Sequence, residues 1–405
     1  SWNTLLLQFI RHICSVVKET LTKTIGILGG GQLGKMLFEA GSPLNLNYVF
    51  LEKTADCPAG LINKNQIIGD LNDADKVYEL AAKADVVSYE IEHVNTNALL
   101  KLEQEGKLII PKPSVLQTIQ DKGLQKAFYD ANGVATLPFV LCTTENLAEK
   151  VNEWPDDAFV LKHRTGGYDG KGVQVLNKAQ FKKLVDNKDS SIQNPSGFVI
   201  EKFLNNVTEV SVIVAIGQSG DCIAYEPCEM VFDPKSNLMD YLIAPSHLAE
   251  AIQQNCKDIA LRVVKSFNSA GLFAVELFVD EQNAVFVNEI APRPHNSGHH
   301  TIESCITSQY EQLNRILLGL PLGDTRLINA AITCNIVGPE NVQGAYYIDN
   351  LEEIMKLSGV YIHMYGKTTT SPFRKLGHFT VINETQEDAI AIMKKVKDLL
   401  VIKSK

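Results

Sequence analysis

The chain has 405 residues, 45% hydrophobic and 21% charged, with a formal net charge of −9. That is the composition of a folded protein with ample core, long enough for two to four structural units. The acidic balance argues against a nucleic-acid binder, whose affinity rests on basic surface, and no run of about 18 apolar residues marks a membrane span.

In residues 1–23, Arg11 and His12 interrupt the apolar run Leu5–Ile13, which disfavours a signal peptide. The stretch reads as a poorly ordered extension ahead of the first clear element. Thr24–Leu28 reads as a strand, followed by Gly29-Gly30-Gly31-Gln32-Leu33-Gly34 and a helical pattern through Lys35–Ala40. Tyr48–Leu51 is the next strand and ends at Glu52. Strand, glycine turn, helix and a later acid fit the dinucleotide fingerprint, which admits an NAD-dependent oxidoreductase. The motif fits equally any Rossmann-like domain that holds a phosphate at a helix N-terminus. Asp85–Tyr89 and Leu108–Ile110 read as further strands, and Pro111 and Pro113 mark a boundary.

Beyond that boundary, Ser114–Ile119 and Asp121–Ala131 look helical, and Thr136–Val140 and Phe159–Lys162 look like strands. Four glycines then fall within seven residues: Gly166, Gly167, Gly170 and Gly172. An ordinary hairpin loop needs only one or two. This density lets the backbone approach a ligand and aim its N–H groups at one point. With Lys162, Arg164 and Lys171 nearby, the ligand that fits is a polyphosphate, and the loop reads as a lid that excludes water. The spacing is not that of a Walker P-loop. Asp169–Leu176 is the return strand, Glu209–Ile216 another strand and Glu250–Ser269 a long helix. Ala274–Val279 and Ala284–Ile290 form a hairpin. A last unit has strands near Ala331–Val337 and Phe379–Ile382 and a closing helix, Glu387–Leu400. The eight cysteines are scattered without a C-x-x-C, which indicates a reducing compartment, mostly buried thiols and no zinc site.

On the hairpin, a turn at Glu281–Ala284 sets Val279 opposite Phe286 and, further out, Glu276 opposite Glu289. Cross-strand partners have Cβ atoms roughly 5 Å apart, so two carboxylates there repel unless neutralised. The apolar neighbours Val275, Leu277, Val287 and Ile290 argue against an exposed pair. One or two Mg²⁺ ions, which take few protein carboxylates and bridge nucleotide phosphates, answer the repulsion, with Asn288 as a further ligand or a supporting contact.

These features together resemble the ATP-grasp superfamily. Five strings resemble, within it, the 5-(carboxyamino)imidazole ribonucleotide synthase family: Gly-Gly-Gly-Gln-Leu-Gly-Lys-Met at 29–36, Tyr-Glu-Ile-Glu at 89–92, Arg-Thr-Gly-Gly-Tyr-Asp-Gly-Lys-Gly at 164–172, Asn-Glu-Ile-Ala-Pro-Arg-Pro-His-Asn-Ser-Gly-His at 288–299 and Arg-Lys-Leu-Gly-His at 374–378. The resemblance runs in order from about residue 24 to the end. It implies an α/β fold of three domains: a Rossmann-like unit at 24–113, an ATP-grasp unit at 114–326 with a lid subdomain at about 135–203, and a C-terminal unit at 327–405. It also implies a cytoplasmic homodimer.

The same resemblance assigns the residues. Lys122 and Lys162 meet the ATP phosphates under a lid of Gly166, Gly167, Tyr168, Asp169, Gly170, Lys171 and Gly172. Glu201, Lys202, Phe203 and Leu204 hold adenine, largely through backbone, and Glu209 holds the ribose. Glu276 and Glu289 bind Mg²⁺, beside Asn288. Arg293, His295 and Asn296 surround the reacting carboxyphosphate and amine. Gln32, Leu33, Glu90, Tyr168, Asp169, Lys367 and Arg374 bind the ribonucleotide. Where many relatives carry Glu-Asn-x-His after the strand that follows Glu209, this chain has Met230, Val231 and Asp233, so no contact is carried over there.

The implied reaction is ATP-dependent carboxylation of 5-aminoimidazole ribonucleotide with bicarbonate, through carboxyphosphate, in purine synthesis. Catalysis of that kind is mostly positioning and charge neutralisation. A sister activity, formate-dependent formylation of glycinamide ribonucleotide, would use the same lid and metal pair. The oxidoreductase leaves the 166–172 loop and the glutamate pair unexplained. His295 is left as proton acceptor or hydrogen-bond donor, and His299 and His300 fit a buried structural role as well as a functional one.

Overall fold

The computed structural model describes residues 20–167, 172–232 and 239–405. Strands β1 (Thr24–Leu28), β2 (Asn47–Glu52), β3 (Gln66–Ile68), β4 (Val86–Tyr89) and β5 (Leu108–Ile109) form a parallel sheet in the order β3-β2-β1-β4-β5. Helix α1 (Gln32–Gly41) leaves β1 through the glycine turn. This is the doubly wound, Rossmann-like arrangement expected of the first unit. Its strands are near-continuous apolar runs because both faces are covered. One face packs with Val77, Leu80 and Leu99, and the other with Tyr310, Leu313 and Ile316 of a later helix. Of the expected extension, residues 1–19 lie outside the described residues. Residues 20–22 are a helical turn, and Leu21 packs against the core that holds Ile25 and Tyr48.

Helices α2 (Pro113–Ile119) and α3 (Lys122–Ala131) follow. Strands β6 (Phe139–Cys142), β7 (Ala158–His163), β8 (Val173–Asn177) and β9 (Phe198–Lys202) make a four-stranded antiparallel sheet in the order β6-β9-β7-β8. β6 begins three residues later than expected, because Ala135 and Thr136 spend their polar groups elsewhere. The Ala135 carbonyl accepts the Val287 N–H at 2.8 Å, and the Thr136 hydroxyl donates to the Val287 carbonyl at 2.8 Å.

The large antiparallel sheet starts with β10 (Thr208–Ile216), on which β11 (Cys222–Ala224) pairs as a side strand, and continues through β12 (Cys228–Phe232) and β13 (Met239–Ala244). Helix α4 (Glu250–Lys265) covers it. The helix stops four residues short of the expected end, because Asn268 takes a left-handed φ of 49°. β14 (Gly271–Val279) and β15 (Val285–Ala291) form the hairpin, and α5 (Gln309–Leu318) packs against α1. Beyond it lie β16 (Ala330–Val337), β17 (Gly344–Asp349), β18 (Val360–Met364), β19 (Thr369–Thr370), β20 (Lys375–Asn383), helix α6 (Gln386–Leu399) and β21 (Val401–Ser404).

The sheet order is β15-β14-β10-β12-β13-β16-β20-β18. β13 therefore pairs directly with β16, Tyr241 opposite Cys334, and the sheet runs unbroken past the boundary expected near residue 326. β17, β19 and β21 form a separate small sheet. No helix among the described residues is long and apolar enough to cross a membrane.

Candidate active site

Three lysines and two strand glutamates form the centre. Lys162 is the last residue but one of β7 and Glu201 the last but one of β9, and the two strands pair. Lys162 Nζ donates to Glu201 Oε1 at 3.1 Å and to Asn288 Oδ1 at 3.0 Å. Lys126 on α3 forms an ion pair with the other carboxylate oxygen of Glu201 at 2.5 Å, and its Nζ donates to the Thr136 hydroxyl at 2.6 Å. Lys122, one turn earlier on the same helix face, pairs with Glu289. Sequence reasoning missed Lys126. Its four-residue spacing from Lys122 was the available signal.

Asp121 caps α3, accepting the Gly123 N–H at 2.7 Å, and also receives the Arg164 guanidinium at 2.9 and 2.7 Å. Arg164 was expected among the cations for a polyphosphate. It is instead committed to Asp121, because the loop entry passes over the helix N-terminus and the two charges meet there. The glycine stretch does bridge β7 and β8, with Lys162 opposite Val173 and the His163 N–H donating to the Gly172 carbonyl at 2.8 Å. Gly166, Gly167 and Gly172 lie at its two ends. Tyr168, Asp169, Gly170 and Lys171 lie outside the described residues, as does Asp233.

Glu276 and Glu289 stand opposite each other, as expected, but by another register. Val279 pairs with Val285 and not Phe286, and a bulge between Glu276 and Leu277 restores the alignment. The turn is one residue shorter than assumed, spanning 281–283: the Asp280 N–H donates to the Ala284 carbonyl at 3.0 Å, and Asn283 adopts a φ of 63°. A bulge turns two successive side chains toward one side. Here they are Asn288, which reaches Lys162, and Glu289, which reaches Lys122. Lys122 holds the Glu289 carboxyl well below the usual range. Burial, then Glu289 and Glu209, push Glu276 up. Burial also pushes Glu209 up to about 7. Its cross-strand neighbour is the buried Met230, so the departure noted in the sequence leaves the Glu209 carboxyl in apolar company.

Among the described residues no group of three or more His, Cys, Asp or Glu side chains could hold a metal ion. Two facing carboxylates with an amide oxygen beside them are hard oxygen donors. They suit Mg²⁺, which draws its remaining ligands from phosphates and water.

After β15, Arg293 stands between Pro292 and Pro294. Its Nε lies 2.9 Å from Glu92 Oε1. Gln309 pins His295, accepting its N–H at 3.0 Å and donating to its carbonyl at 2.8 Å. His295 Nδ1 lies 3.3 Å from the Ser297 N–H, and its Nε2 faces Glu276 Oε1 at 3.4 Å. Ser297 Oγ lies 2.8 Å from Nδ1 and 2.7 Å from Ser211 Oγ. Asn296 Oδ1 is buried without a hydrogen-bond partner. His299 and His300 are buried. Burial drives His299 well below its usual range and His300 down to about 4, the behaviour of structural neutral rings.

The glycine turn after β1 departs from the dinucleotide reading. Gly31 and Gly34 give their N–H groups to the Glu90 carboxylate, and Gly30 donates to Glu52 Oε2 at 2.9 Å. Gly29 has a φ of +102°, and a Cβ there would meet Glu90 Cγ at 2.5 Å. The donors that would cradle a pyrophosphate are taken by the chain's own acids, and Glu52, the acid expected to hold a ribose, is one of them. Gln32 and Leu33 are half-buried at the start of α1. Lys367 Nζ donates to the Lys375 carbonyl at 2.6 Å, and burial pushes it down to about 8, with Arg374 adding to the fall and Glu90 opposing it. Arg374 Nη1 donates to Thr369 Oγ1 at 3.0 Å. The C-terminal loop thus lies within electrostatic reach of the first unit. Phe203 and Leu204 are half-buried and Lys202 exposed where β9 leaves the sheet.

Residues 22–120 match the ribonucleotide synthetase preATP-grasp domain, residues 127–310 the ATP-grasp domain, and residues 331–392 the phosphoribosylaminoimidazole carboxylase C-terminal domain. An N5-carboxyaminoimidazole ribonucleotide synthase of Bacillus subtilis is 32% identical over 90% of this chain and 93% of its own length. The crystal structure of the N5-carboxyaminoimidazole ribonucleotide synthetase of Thermotoga maritima is 35% identical. It covers 95% of this chain and all of its own, with a TM-score of 0.85. A synthase of Aspergillus clavatus, solved with ADP and 5-aminoimidazole ribonucleotide, is 28% identical over 94% of this chain and 98% of its own, with a TM-score of 0.83. Fungal and plant relatives named phosphoribosylaminoimidazole carboxylase are longer, and the chain spans 65 to 68% of their length.

Proposed function

Since the chain belongs to the family of N5-carboxyaminoimidazole ribonucleotide synthases, ATP-grasp ligases, we propose that it uses ATP and bicarbonate to carboxylate the amine of 5-aminoimidazole ribonucleotide. The observation that carries this reading is the facing pair Glu276 and Glu289, set between Lys122, Lys162 and the Arg293–Asn296 segment. Bicarbonate is a poor electrophile. Transfer of the γ-phosphoryl group gives carboxyphosphate, a mixed anhydride that delivers its carbon to a nearby amine.

In this reading Lys122 and Lys162 position the phosphates, and Glu201 and Asn288 hold Lys162 in place. Glu276 and Glu289 would hold Mg²⁺, which when bound offsets charge on the β- and γ-phosphates. Arg293 stabilises the phosphoryl group in transit. His295 acts as a hydrogen-bond donor. Asn296 faces the amine, and the 166–172 loop excludes the water that would hydrolyse carboxyphosphate. Gln32, Leu33, Glu90, Lys367 and Arg374 bind the ribonucleotide, the last two as a phosphate clamp. A cytoplasmic homodimer completes the reading, and sedimentation would test the assembly.

Asn296 decides against the formylating relative, which usually carries Asp-Thr in place of Asn296-Ser297. A neutral amide suits a neutral aromatic amine without burying an unpaired carboxylate. ADP should form only when bicarbonate and aminoimidazole ribonucleotide are both present, and should vanish on chelation of divalent ions. Asn296→Asp should impair turnover far more than ATP binding. ADP formation from formate and glycinamide ribonucleotide would overturn the assignment.

A further inference from the structure

Glu92 has no role in the reaction described above, yet it touches its central cation. It lies three residues beyond β4, and its Oε1 is 2.9 Å from Arg293 Nε, with each side chain 19% exposed. Both ends of this ion pair are held. Arg293 has a proline on each side, whose rings fix φ, and its Nη1 donates to the Pro294 carbonyl at 3.0 Å. The Glu92 carbonyl accepts the Gln120 side-chain amide at 2.7 Å and the Val94 N–H at 3.0 Å. Gln120 also donates to the Val94 carbonyl at 3.3 Å and accepts from the Thr96 hydroxyl at 2.9 Å. A braced segment from the first unit therefore reaches across to the arginine of the second.

We propose that Glu92 is a positioning residue for the reaction, orienting Arg293 before phosphoryl transfer; the inference rests on the role given to Arg293 above. A free arginine side chain samples many rotamers. It stabilises a passing charge best when its geometry is set in advance. The carboxylate beside Nε and the Pro294 carbonyl on Nη1 together restrict where the guanidinium can point. Glu90, two residues before Glu92, closes the glycine turn. One short segment thus serves the ribonucleotide side and the phosphoryl side together.

The test compares Glu92→Gln and Glu92→Ala with the parent in full-length protein. It uses ADP formation from ATP, bicarbonate and aminoimidazole ribonucleotide, with ATP varied and the melting temperature measured alongside. A positioning role predicts that kcat falls roughly tenfold in Glu92→Gln and roughly a hundredfold in Glu92→Ala. KM for ATP should stay within about twofold, since ground-state binding is untouched, and the melting temperature of the isosteric Gln variant should not move. Near-parent kcat in both variants overturns the inference. So does a rise in KM that matches the loss of kcat, or a loss of kcat that only tracks a lower melting temperature. A parent that forms no ADP under these conditions overturns the functional reading itself, and the role of Glu92 falls with it.

Discussion

Lys126 is 3% exposed and faces Glu201, which is 1% exposed and also receives Lys162. A buried carboxylate between two cations is stable only while both remain, because removing one leaves charge that no solvent screens. Lys126→Met should therefore lower stability by about 3 kcal/mol or more in urea unfolding. It should also raise KM for ATP, since Glu201 then draws Lys162 to itself alone. An unchanged urea midpoint would show that Glu201 needs only one partner. Lys122 was named in advance only because the family resemblance assigns it to the ATP phosphates. Lys126 was not, since a lysine within an amphipathic helix reads as solvated until the strands that bury it are known.

At the scale of elements, the hairpin shows what alternation can and cannot reveal. Its strands were legible as two apolar-rich runs about a polar turn, and Glu276 was correctly set against Glu289 although the assumed turn was one residue off. The bulge that corrects the register left a trace: Val287 and Ile290 are buried with two half-buried polar residues between them, where strict alternation allows one. The doublet brings Asn288 onto Lys162. Asn288→Ala should raise KM for ATP roughly tenfold with little change in kcat, because it loosens a phosphate-binding group present in ground and transition states alike. Initial rates over an ATP titration measure this, and a fall in kcat at constant KM would contradict it. The glycine loop was legible by density alone. Which cation enters it was not, because Arg164 is captured by a helix cap that only the fold brings near.

Across the whole molecule, the large sheet joins the central and C-terminal units, and buried histidines lie along that junction. His299, His378 and His363 stack with ring centroids 4.5 Å apart, Tyr365 hydroxyl bonds His378 Nδ1 at 2.9 Å, and His300 is bonded to Ser304 at 2.8 Å. Burial lowers the folded pKa of His300 to about 4, and lowers those of His299 and His378 as well. Unfolded histidine titrates near 6.5. Between these values the unfolded chain binds more protons, so this stability is complete above about pH 6.5 and is lost as pH falls toward 4. For His300 the loss amounts to about 3 kcal/mol. Unfolding free energies from pH 7 down to 4.5 should fall more steeply for the parent than for His300→Gln. Subtracting the two curves removes Glu90 and Glu209, whose raised pKa values act in the opposite sense. Parallel curves would show that His300 is protonated in the folded state. The three units were legible as sequence blocks. The shared sheet was not, because Tyr241 and Cys334 pair across 93 residues and neither strand announces its partner.

The glycine turn that seats Glu90 bears on inhibitor design. Turns of this shape invite phosphate mimics and dinucleotide fragments, and a screen guided by motif alone would start there. In this chain the socket comes with its plug fitted: an incoming anion must evict a tethered carboxylate that is already hydrogen-bonded by two backbone amides. A tethered group competes at high effective concentration, so weak fragments are outcompeted at ordinary screening concentrations. Chemical matter aimed at this enzyme class has better prospects near Asn296, whose buried side-chain oxygen has no hydrogen-bond partner within the protein.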